Sequence, residues 1–130
     1  MRGIRVLHVD DEPDIRAVVD LSLTLDPEFE VQSCASGAEA LIRAAEWSPS
    51  VILLDVMMPE MDGAATLAKL RQNPCTANIP VLLMTARKLV DDMERFRSLG
   101  VLAVITKPFD PLALPVLVRD HLAALHHDEH

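Results

Sequence analysis

The chain has 130 residues, a length that suits one domain with one hydrophobic core. Half of its residues are hydrophobic, but no run reaches the roughly 18 to 20 apolar residues of a membrane span, and no signal-peptide pattern opens the sequence. The net charge of -8 argues against direct nucleic-acid binding. Cys34 and Cys75 lack metal-binding or redox spacing, so we expect free thiols and a cytoplasmic location. Because no run is long enough to span a membrane, we expect no membrane partner.

Short apolar runs alternate with helical patterns along the whole chain. Runs that are continuous and rich in Val, Ile and Leu predict buried parallel strands. The predicted strands cover residues 4–9, 29–34, 51–54, 80–84 and 101–106. The first, third and fourth runs are the most apolar and should be central, whereas the second alternates and should form an edge. The pattern predicts an α/β fold, a doubly wound parallel sheet with helices on both faces.

The helical patterns carry recognisable start signals. Pro13 suits the first position of a helix. The predicted inward stripe of this helix comprises Ile15, Val18, Ser22 and Leu25. Ser36 followed by Glu39 matches a capping box. Further stripes contain Leu67 and Leu70; Leu89, Met93 and Phe96 before Gly100; and Leu114, Leu117, Val118, His121, Leu122 and Leu125. We expect the domain to cover residues 1–125 and a tail to cover 126–130.

Acidic residues follow two of the predicted central strands. Asp10 and Asp11 come directly after the first strand, and Asp55 comes directly after the third. The carboxyl ends of such strands form the crevice in which open α/β sheets bind ligands. Carboxylates that lie close together require a cation or a proton. The sequence therefore predicts a cation site at this edge of the sheet.

His8 alternates onto the same side of its strand as Asp10. Two interpretations are open for it. A phosphohistidine is conceivable, but a buried histidine with hydrogen-bond partners is the more common case and is the one we expect.

Four segments in order resemble the receiver domain of two-component response regulators. They are Asp10-Asp11, the stretch from Asp55 to Gly63, Thr85-Ala86, and Lys107-Pro108-Phe109. Each segment alone is a weak signal, but together, at the ends of predicted strands, they cover essentially the whole chain. The resemblance implies a flavodoxin-like, CheY-like sheet of five strands in the order 2-1-3-4-5. It also implies a cis peptide between Lys107 and Pro108.

The resemblance also implies a role for each site residue. Asp55 would accept a phosphoryl group from a histidine kinase or phosphotransfer protein. Asp10, Asp11 and Asp55 would hold Mg²⁺ with the backbone carbonyl of Met57. Three carboxylates, the Lys107 ammonium and one divalent cation sum to zero charge, and an all-oxygen donor set suits Mg²⁺.

Thr85 would follow the new phosphoryl oxygens and act as the switch, assisted by Lys107 at the acceptor. The family usually carries Tyr or Phe at the position of Val104, so an aromatic relay is not expected here. Met57 and Arg87 occupy positions that orient or exclude the attacking water, and their side chains predict slow self-dephosphorylation. The chain would assist its own phosphorylation and dephosphorylation without being an enzyme for a separate substrate.

Two other functions compete with this one. A Mg²⁺-dependent phosphohydrolase with an aspartyl-phosphate intermediate would need a second acid-base group, which Met57 cannot supply. A degenerate receiver acting only in assembly is disfavoured by the complete set of site residues. The output should be a surface around the helix before Gly100, the fifth strand and the last helix. A phosphorylation-dependent homodimer, a separate target protein, or an output domain of a longer chain would use it.

Overall fold

The computed structural model describes residues 3–56, 63–86 and 100–128. Strands and helices alternate through these residues. The strands are β1 (Ile4–Val9), β2 (Phe29–Cys34), β3 (Val51–Asp55), β4 (Val81–Ala86) and β5 (Ala103–Lys107). The helices are α1 (Pro13–Thr24), α2 (Gly37–Trp47), α3 (Gly63–Gln72) and α4 (Leu114–Asp128).

The strands form one parallel sheet in the order β2-β1-β3-β4-β5, which confirms the predicted topology. Val9 of β1 pairs with Leu54 of β3, and Asp55 pairs with Met84 of β4. The residues that follow β1 and those that end β3 therefore lie side by side. At this switch point the chain reverses the direction in which it adds strands to the sheet. Open α/β sheets bind ligands at such points.

Helices cover both faces of the sheet. On one face, Leu7, Ile52 and Leu83 belong to a core cluster that α2 and α3 complete with Ala40, Ala44, Leu67 and Leu70. On the other face, Val6, Leu53 and Met84 belong to a cluster completed by Val19 and Leu23 of α1 and by Leu114 and Val118 of α4. Alternate residues of each strand enter opposite clusters, as strand geometry requires. The central strands are consequently buried on both sides.

The predicted inward stripe of α1 is wrong at two of its four positions. Ser22 is buried and Ile15 is half-buried, but Val18 is 39% exposed and Leu25 is 68% exposed. Val19 and Leu23 take the inward positions instead. The sequence pattern could not decide which side of α1 faces inward. Val18, Leu21 and Leu25 satisfy helical spacing as well as Val19 and Leu23 do.

The strand ends differ from the predicted ones by one or two residues. β3 includes Asp55, β4 covers Val81–Ala86, and β5 covers Ala103–Lys107. Asp55, Thr85 and Lys107 therefore lie within paired strands, whereas Asp10 and Asp11 follow β1 as predicted. Pro80 lies just before β4, and its carbonyl accepts a hydrogen bond from the Ile52 amide.

The helix starts agree with the capping signals. Pro13 opens α1, and the Ser36 side chain accepts a hydrogen bond from the Glu39 amide at the start of α2. Glu39 returns a bond to the amide of Ala35, one residue earlier than a capping box requires. α4 continues to Asp128, past the predicted domain boundary at residue 125. The helix predicted before Gly100 lies outside the described residues.

No helix in the described ranges is both long and apolar enough to cross a lipid bilayer. Cys34 is buried and Cys75 is exposed, and both are free thiols, as predicted. Burial is the main cause that raises the pKa of Cys34 to about 11. The Cys34 thiol is therefore protonated at neutral pH and acts as a core side chain.

Candidate functional site

Three carboxylates meet at the carboxyl edge of the sheet. Asp10, Asp11 and Asp55 each place a ligand-capable oxygen within 4.8 Å of the other two. Asp10 is fully buried and Asp55 is 3% exposed, whereas Asp11 reaches the surface. A buried pair of carboxylates with an accessible third can admit a hydrated cation from one side. The donor set is all oxygen, which is the chemistry that Mg²⁺ requires.

The backbone and carboxylate of Asp10 are fixed by several bonds. Its amide donates to the carbonyl of Cys34 at 3.1 Å, and its carbonyl accepts from the Arg16 guanidinium at 2.7 Å. Its Oδ1 accepts from the amide of Glu12 at 3.0 Å, so the first turn of α1 is tied to the carboxylate. Asp10 therefore holds one oriented position at the end of β1 and cannot swing into solvent.

Lys107 ends β5, an edge strand of the sheet, and its side chain reaches the acidic cluster. Its Nζ lies 3.2 Å from Asp10 Oδ2 and 3.2 Å from Asp55 Oδ1. Burial would lower the pKa of this ammonium, but the charges of Asp55 and Asp10 and their hydrogen bonds outweigh burial and raise it. Lys107 is consequently a permanent positive charge that partly neutralises the carboxylates.

The cis peptide expected from the resemblance is present between Lys107 and Pro108.

The two predicted switch residues lie on adjacent strands. Thr85 is 1% exposed and pairs with Thr106, one residue beyond the level at which Asp55 pairs with Met84. Val104 pairs with Leu83 and packs, half-buried, against the core on the α2 and α3 side. Met57 and Arg87 lie outside the described residues. The structure thus brings together Asp10, Asp11, Asp55 and Lys107, with Thr85 at the end of the strand beside Asp55.

Gly63 lies against the backbone of Asp55 and Val56, a contact that the sequence did not indicate. α3 begins at Gly63. A Cβ atom at this position would lie 2.8 Å from the Cα of Val56 and 3.0 Å from the carbonyl oxygen of Asp55. The Gly63 amide also donates to the Val56 carbonyl at 3.0 Å. Hydrogen in place of a side chain therefore lets α3 pack directly on the backbone that carries Asp55.

His8 is buried as predicted, but the expected hydrogen bonds are not found within the described part of the chain. It is 0% exposed, and neither ring nitrogen has a hydrogen-bond partner among the described residues. Its Nε2 lies 3.8 Å from Asp10 Oδ2, which is too long for a hydrogen bond. Burial lowers the pKa of His8 to about 4 although the charges of Asp10 and Asp20 act to raise it. The imidazole is therefore neutral at neutral pH.

An apolar surface adjoins the carboxylate cluster. Lys107, Pro108 and Phe109 line a groove of about 330 Å³ together with Ile15, Val18 and Pro111. The hydroxyl of Ser22 donates to the carbonyl of Pro111, which fixes this loop against α1. Beyond the groove, Leu21 is 66% exposed and Leu112 is 80% exposed. We call the exposed apolar residues Val18, Leu21, Leu25, Pro111 and Leu112 the α1 surface.

A family model described as the response regulator receiver domain matches residues 6–119. This range contains β2 to β5, all of β1 except its first two residues, three complete helices, and all of the predicted site residues. The chain belongs to the response regulator receiver family. Receivers of this family are signalling modules, and neither the phosphohydrolase nor the assembly-only alternative is favoured.

Relatives of the receiver support the assignment. The response regulator Rre1 of Synechocystis is 37% identical over 120 residues, covering 92% of this chain and 52% of that protein. The response regulator PleD of Caulobacter vibrioides is 40% identical over 116 residues, covering 88% of this chain and 25% of that protein. The receiver thus spans about half of the first relative and a quarter of the second.

Solved structures show the same fold. The chemotaxis response regulator CheY4 of Vibrio cholerae superimposes with a TM-score of 0.84 at 30% identity, covering 93% of this receiver and 99% of that chain. The receiver domain of a histidine kinase from Syntrophus aciditrophicus gives a TM-score of 0.80, also at 30% identity, covering 92% and 90%. Because these matches cover nearly the whole receiver, its five-stranded sheet has the architecture of a CheY-like domain.

Proposed function

We propose that this receiver accepts a phosphoryl group on Asp55 from a phosphohistidine of a histidine kinase or phosphotransfer protein. The observation that carries the proposal is the convergence of Asp10, Asp11, Asp55 and Lys107 at one edge of the sheet. Asp10 is anchored through Glu12 and Arg16 and suits a fixed ligand. Family resemblance assigns the acceptor role to Asp55, whose Oδ1 shares the Lys107 ammonium with Asp10 Oδ2.

Asp10, Asp11 and Asp55 would hold Mg²⁺, with the backbone carbonyl of Met57 as a further ligand. The described part of this site fits the ion, because the three carboxylates offer oxygens within 4.8 Å of one another. Bound there, Mg²⁺ supplies charge neutralisation for the oxygens of the transferred group. It would also bring the net charge of the carboxylates, Lys107 and the ion to zero, and so offset the repulsion among the three carboxylates.

The transfer itself needs little covalent assistance. A carboxylate oxygen of Asp55 attacks phosphorus, the phosphorus–nitrogen bond of the donor breaks, and an aspartyl phosphate forms. Phosphoryl transfer depends mainly on positioning and on stabilising the charge of the equatorial oxygens. Lys107 would donate to one of these oxygens. Its raised pKa keeps the ammonium charged through the physiological range.

The conformational response is expected to begin at Thr85. Phosphorylation changes Asp55 from about -1 to about -2 and adds acceptor oxygens. The Thr85 hydroxyl, on the neighbouring strand, would follow them. Val104 offers no ring to relay the motion, so we propose that backbone shifts around residues 86–88 and 102–106 carry it to the predicted output surface around the helix before Gly100, β5 and α4. A homodimer or a target protein would read that face.

A second property concerns the lifetime of the phosphorylated state. Methionine at position 57 cannot orient a water well, and Arg87 could cover the phosphoryl group, so slow self-dephosphorylation is proposed. Both residues lie outside the described ranges, and the proposal rests on the sequence alone. Met57→Asn should shorten the half-life of the phosphorylated protein, and an unchanged half-life would refute the role given to Met57.

The α1 surface is proposed as the docking surface for the phosphodonor. It is apolar, exposed and continuous with the groove that Lys107 lines. A protein that brings a phosphohistidine to Asp55 would come close to this rim, because Lys107 lines the groove and lies 3.2 Å from Asp55. An amphipathic helix with apolar anchors at helical spacing would match Val18, Leu21 and Leu25. A cytoplasmic histidine kinase or phosphotransfer protein would be the partner of this kind.

The function is tested by incubating the protein with acetyl phosphate, once in the presence of Mg²⁺ and once with a chelator instead of Mg²⁺. We expect a mass gain of one phosphoryl group that requires Mg²⁺ and maps to Asp55. Asp55→Asn should abolish the gain, whereas the control Asp120→Asn, an exposed residue of α4, should leave it unchanged. A wild-type protein that is not modified under these conditions would refute the proposed function.

A further inference from the structure

His8 is a polar side chain in the interior of the sheet. It lies in β1 between Ser33 of β2 and Leu53 of β3, and it is completely buried. Both of its ring nitrogens lack a hydrogen-bond partner among the described residues. An unsatisfied buried polar group costs folding free energy. Such a cost in a native core needs a physical reason.

A proposed metal ligand, Asp10, lies close to the ring. His8 Nε2 lies 3.8 Å from Asp10 Oδ2, less than 1 Å beyond hydrogen-bond reach. Other charged groups also act on the ring. Asp20 accepts a bond from the Ser33 hydroxyl at 2.6 Å, and Arg16 binds the Asp10 carbonyl. With burial favouring the neutral ring, one ring nitrogen carries a hydrogen that can be donated.

Asp10 Oδ2 has a donor whose position depends on the state of the site. Lys107 Nζ lies 3.2 Å from this oxygen and 3.2 Å from Asp55 Oδ1. A phosphoryl group on Asp55 would compete for the same ammonium. Asp10 Oδ1 keeps the bond from the Glu12 amide, which belongs to the backbone and stays in place. The oxygen that can lose its donor is thus the one that faces His8.

We propose that His8 is a positioning residue for Asp10, whose carboxylate accepts a hydrogen bond from His8 Nε2–H when the site is loaded. The 3.8 Å separation closes to a hydrogen bond, and the Asp10 carboxylate keeps its orientation after Lys107 turns to the phosphoryl group. Carboxylates that serve a metal are commonly held by such outer partners. The inference rests on the proposed function, since it requires that the carboxylate site be loaded.

The first test observes the bond directly in the wild-type protein. Nitrogen-15 histidine spectra are recorded at constant pH in the free state, with Mg²⁺, and with Mg²⁺ and beryllofluoride. The His8 signals are assigned by their loss in His8→Gln. We expect the Nε2–H proton to move downfield and to exchange more slowly on loading. A His8 ring that is unchanged while other signals report loading would overturn the inference.

The second test measures Mg²⁺ affinity in a set of variants at saturating beryllofluoride, which occupies the place of the phosphoryl group. His8→Leu should weaken Mg²⁺ binding about tenfold. His8→Gln carries an amide nitrogen at about the reach of Nε2 and should recover most of the loss, whereas His8→Asn is shorter and should not. Equal affinities for wild type and His8→Leu would overturn the role of His8.

The two proposals fail in different ways. A wild-type protein that binds no Mg²⁺ and takes no phosphoryl group refutes the proposed function. Normal wild-type binding with no effect of His8 substitution refutes only the positioning role. If His8→Leu does not fold, the nitrogen-15 measurement on the wild-type protein decides the question without it.

Discussion

The ammonium of Lys107 lies 3.2 Å from a carboxylate oxygen of Asp55, although the two residues end strands that are not neighbours in the sheet. β4 separates them, so the lysine side chain reaches past the end of that strand. The same ammonium contacts Asp10. Both carboxylates are buried, whereas the Lys107 side chain is 20% exposed, so solvent screens the pair only in part.

Replacing Lys107 should separate metal binding from phosphorylation. Lys107→Gln removes the positive charge that competes with Mg²⁺, so Mg²⁺ affinity should rise severalfold. The phosphorylation rate with acetyl phosphate should fall about 10- to 100-fold, because a donor to the transferring oxygens is lost. Metal titration and rates of mass gain measure the two effects. Lys69→Gln, at an exposed position of α3, provides the charge control. A fall in both quantities would contradict the competition between Lys107 and the metal.

A methyl group at Gly63 should disturb the backbone that carries Asp55. In Gly63→Ala the new Cβ would lie 2.8 Å from the Val56 backbone, so α3 or the end of β3 must shift. We expect a loss of about 1–3 kcal/mol in the free energy of unfolding, measured by urea denaturation. Phosphorylation should slow as well, because the Asp55 carbonyl lies 3.0 Å from the same atom.

Ala65→Ser is the matched control for Gly63→Ala, since it adds one atom to an exposed position of the same helix. It should change neither stability nor rate appreciably. A Gly63→Ala protein as stable and as reactive as this control would show that the backbone at Val56 yields without cost.

The sequence predicted the sheet better than it predicted the surfaces. Continuous apolar runs identify buried parallel strands, and acids at their ends locate the site, because strand order brings Asp10 and Asp55 together. The orientation of α1 could not be predicted, since Val18 and Val19 are equally apolar and only packing against α4 and the sheet selects one. Gly63 was missed for a related reason: its role depends on contact with Val56, which is not visible in a local pattern.

Stability should depend on pH through His8. Its pKa is lowered in the folded protein to about 4 from an ordinary value of 6.5, with burial as the main cause. Below pH 6.5 the unfolded chain binds a proton at His8 that the folded protein does not. The stability contributed by the neutral ring is therefore complete above pH 6.5 and is lost as pH falls toward 4, by an amount on the order of 3 kcal/mol.

Urea denaturation of wild type and His8→Leu in chelator-containing buffer checks this dependence. The difference in the free energy of unfolding between the two proteins should change between pH 6.5 and pH 4, moving in favour of the leucine variant. Because Asp10, Asp20, Lys107 and Arg16 also act on the ring, only this difference isolates His8. A difference that stays constant across the window would rule out a buried neutral histidine.

The α1 surface should matter for a protein phosphodonor and not for a small one. Leu21 is 66% exposed, so Leu21→Asp costs little folding stability but places a charge within the apolar surface. Phosphotransfer from a cognate histidine kinase or phosphotransfer protein should fall about tenfold or more, as expected for loss of an interface anchor. Phosphorylation by acetyl phosphate should be unchanged, because the carboxylates and Lys107 are untouched.

Ile42→Asp supplies the matched control for the α1 surface. Ile42 is 61% exposed on α2, which packs on the opposite face of the sheet from α1. The same change in charge and size there should leave both phosphodonors equally effective. If Leu21→Asp and Ile42→Asp reduce transfer from the protein donor to the same extent, the effect arises from net charge and not from docking on α1. If neither reduces it, the donor approaches Asp55 over another surface.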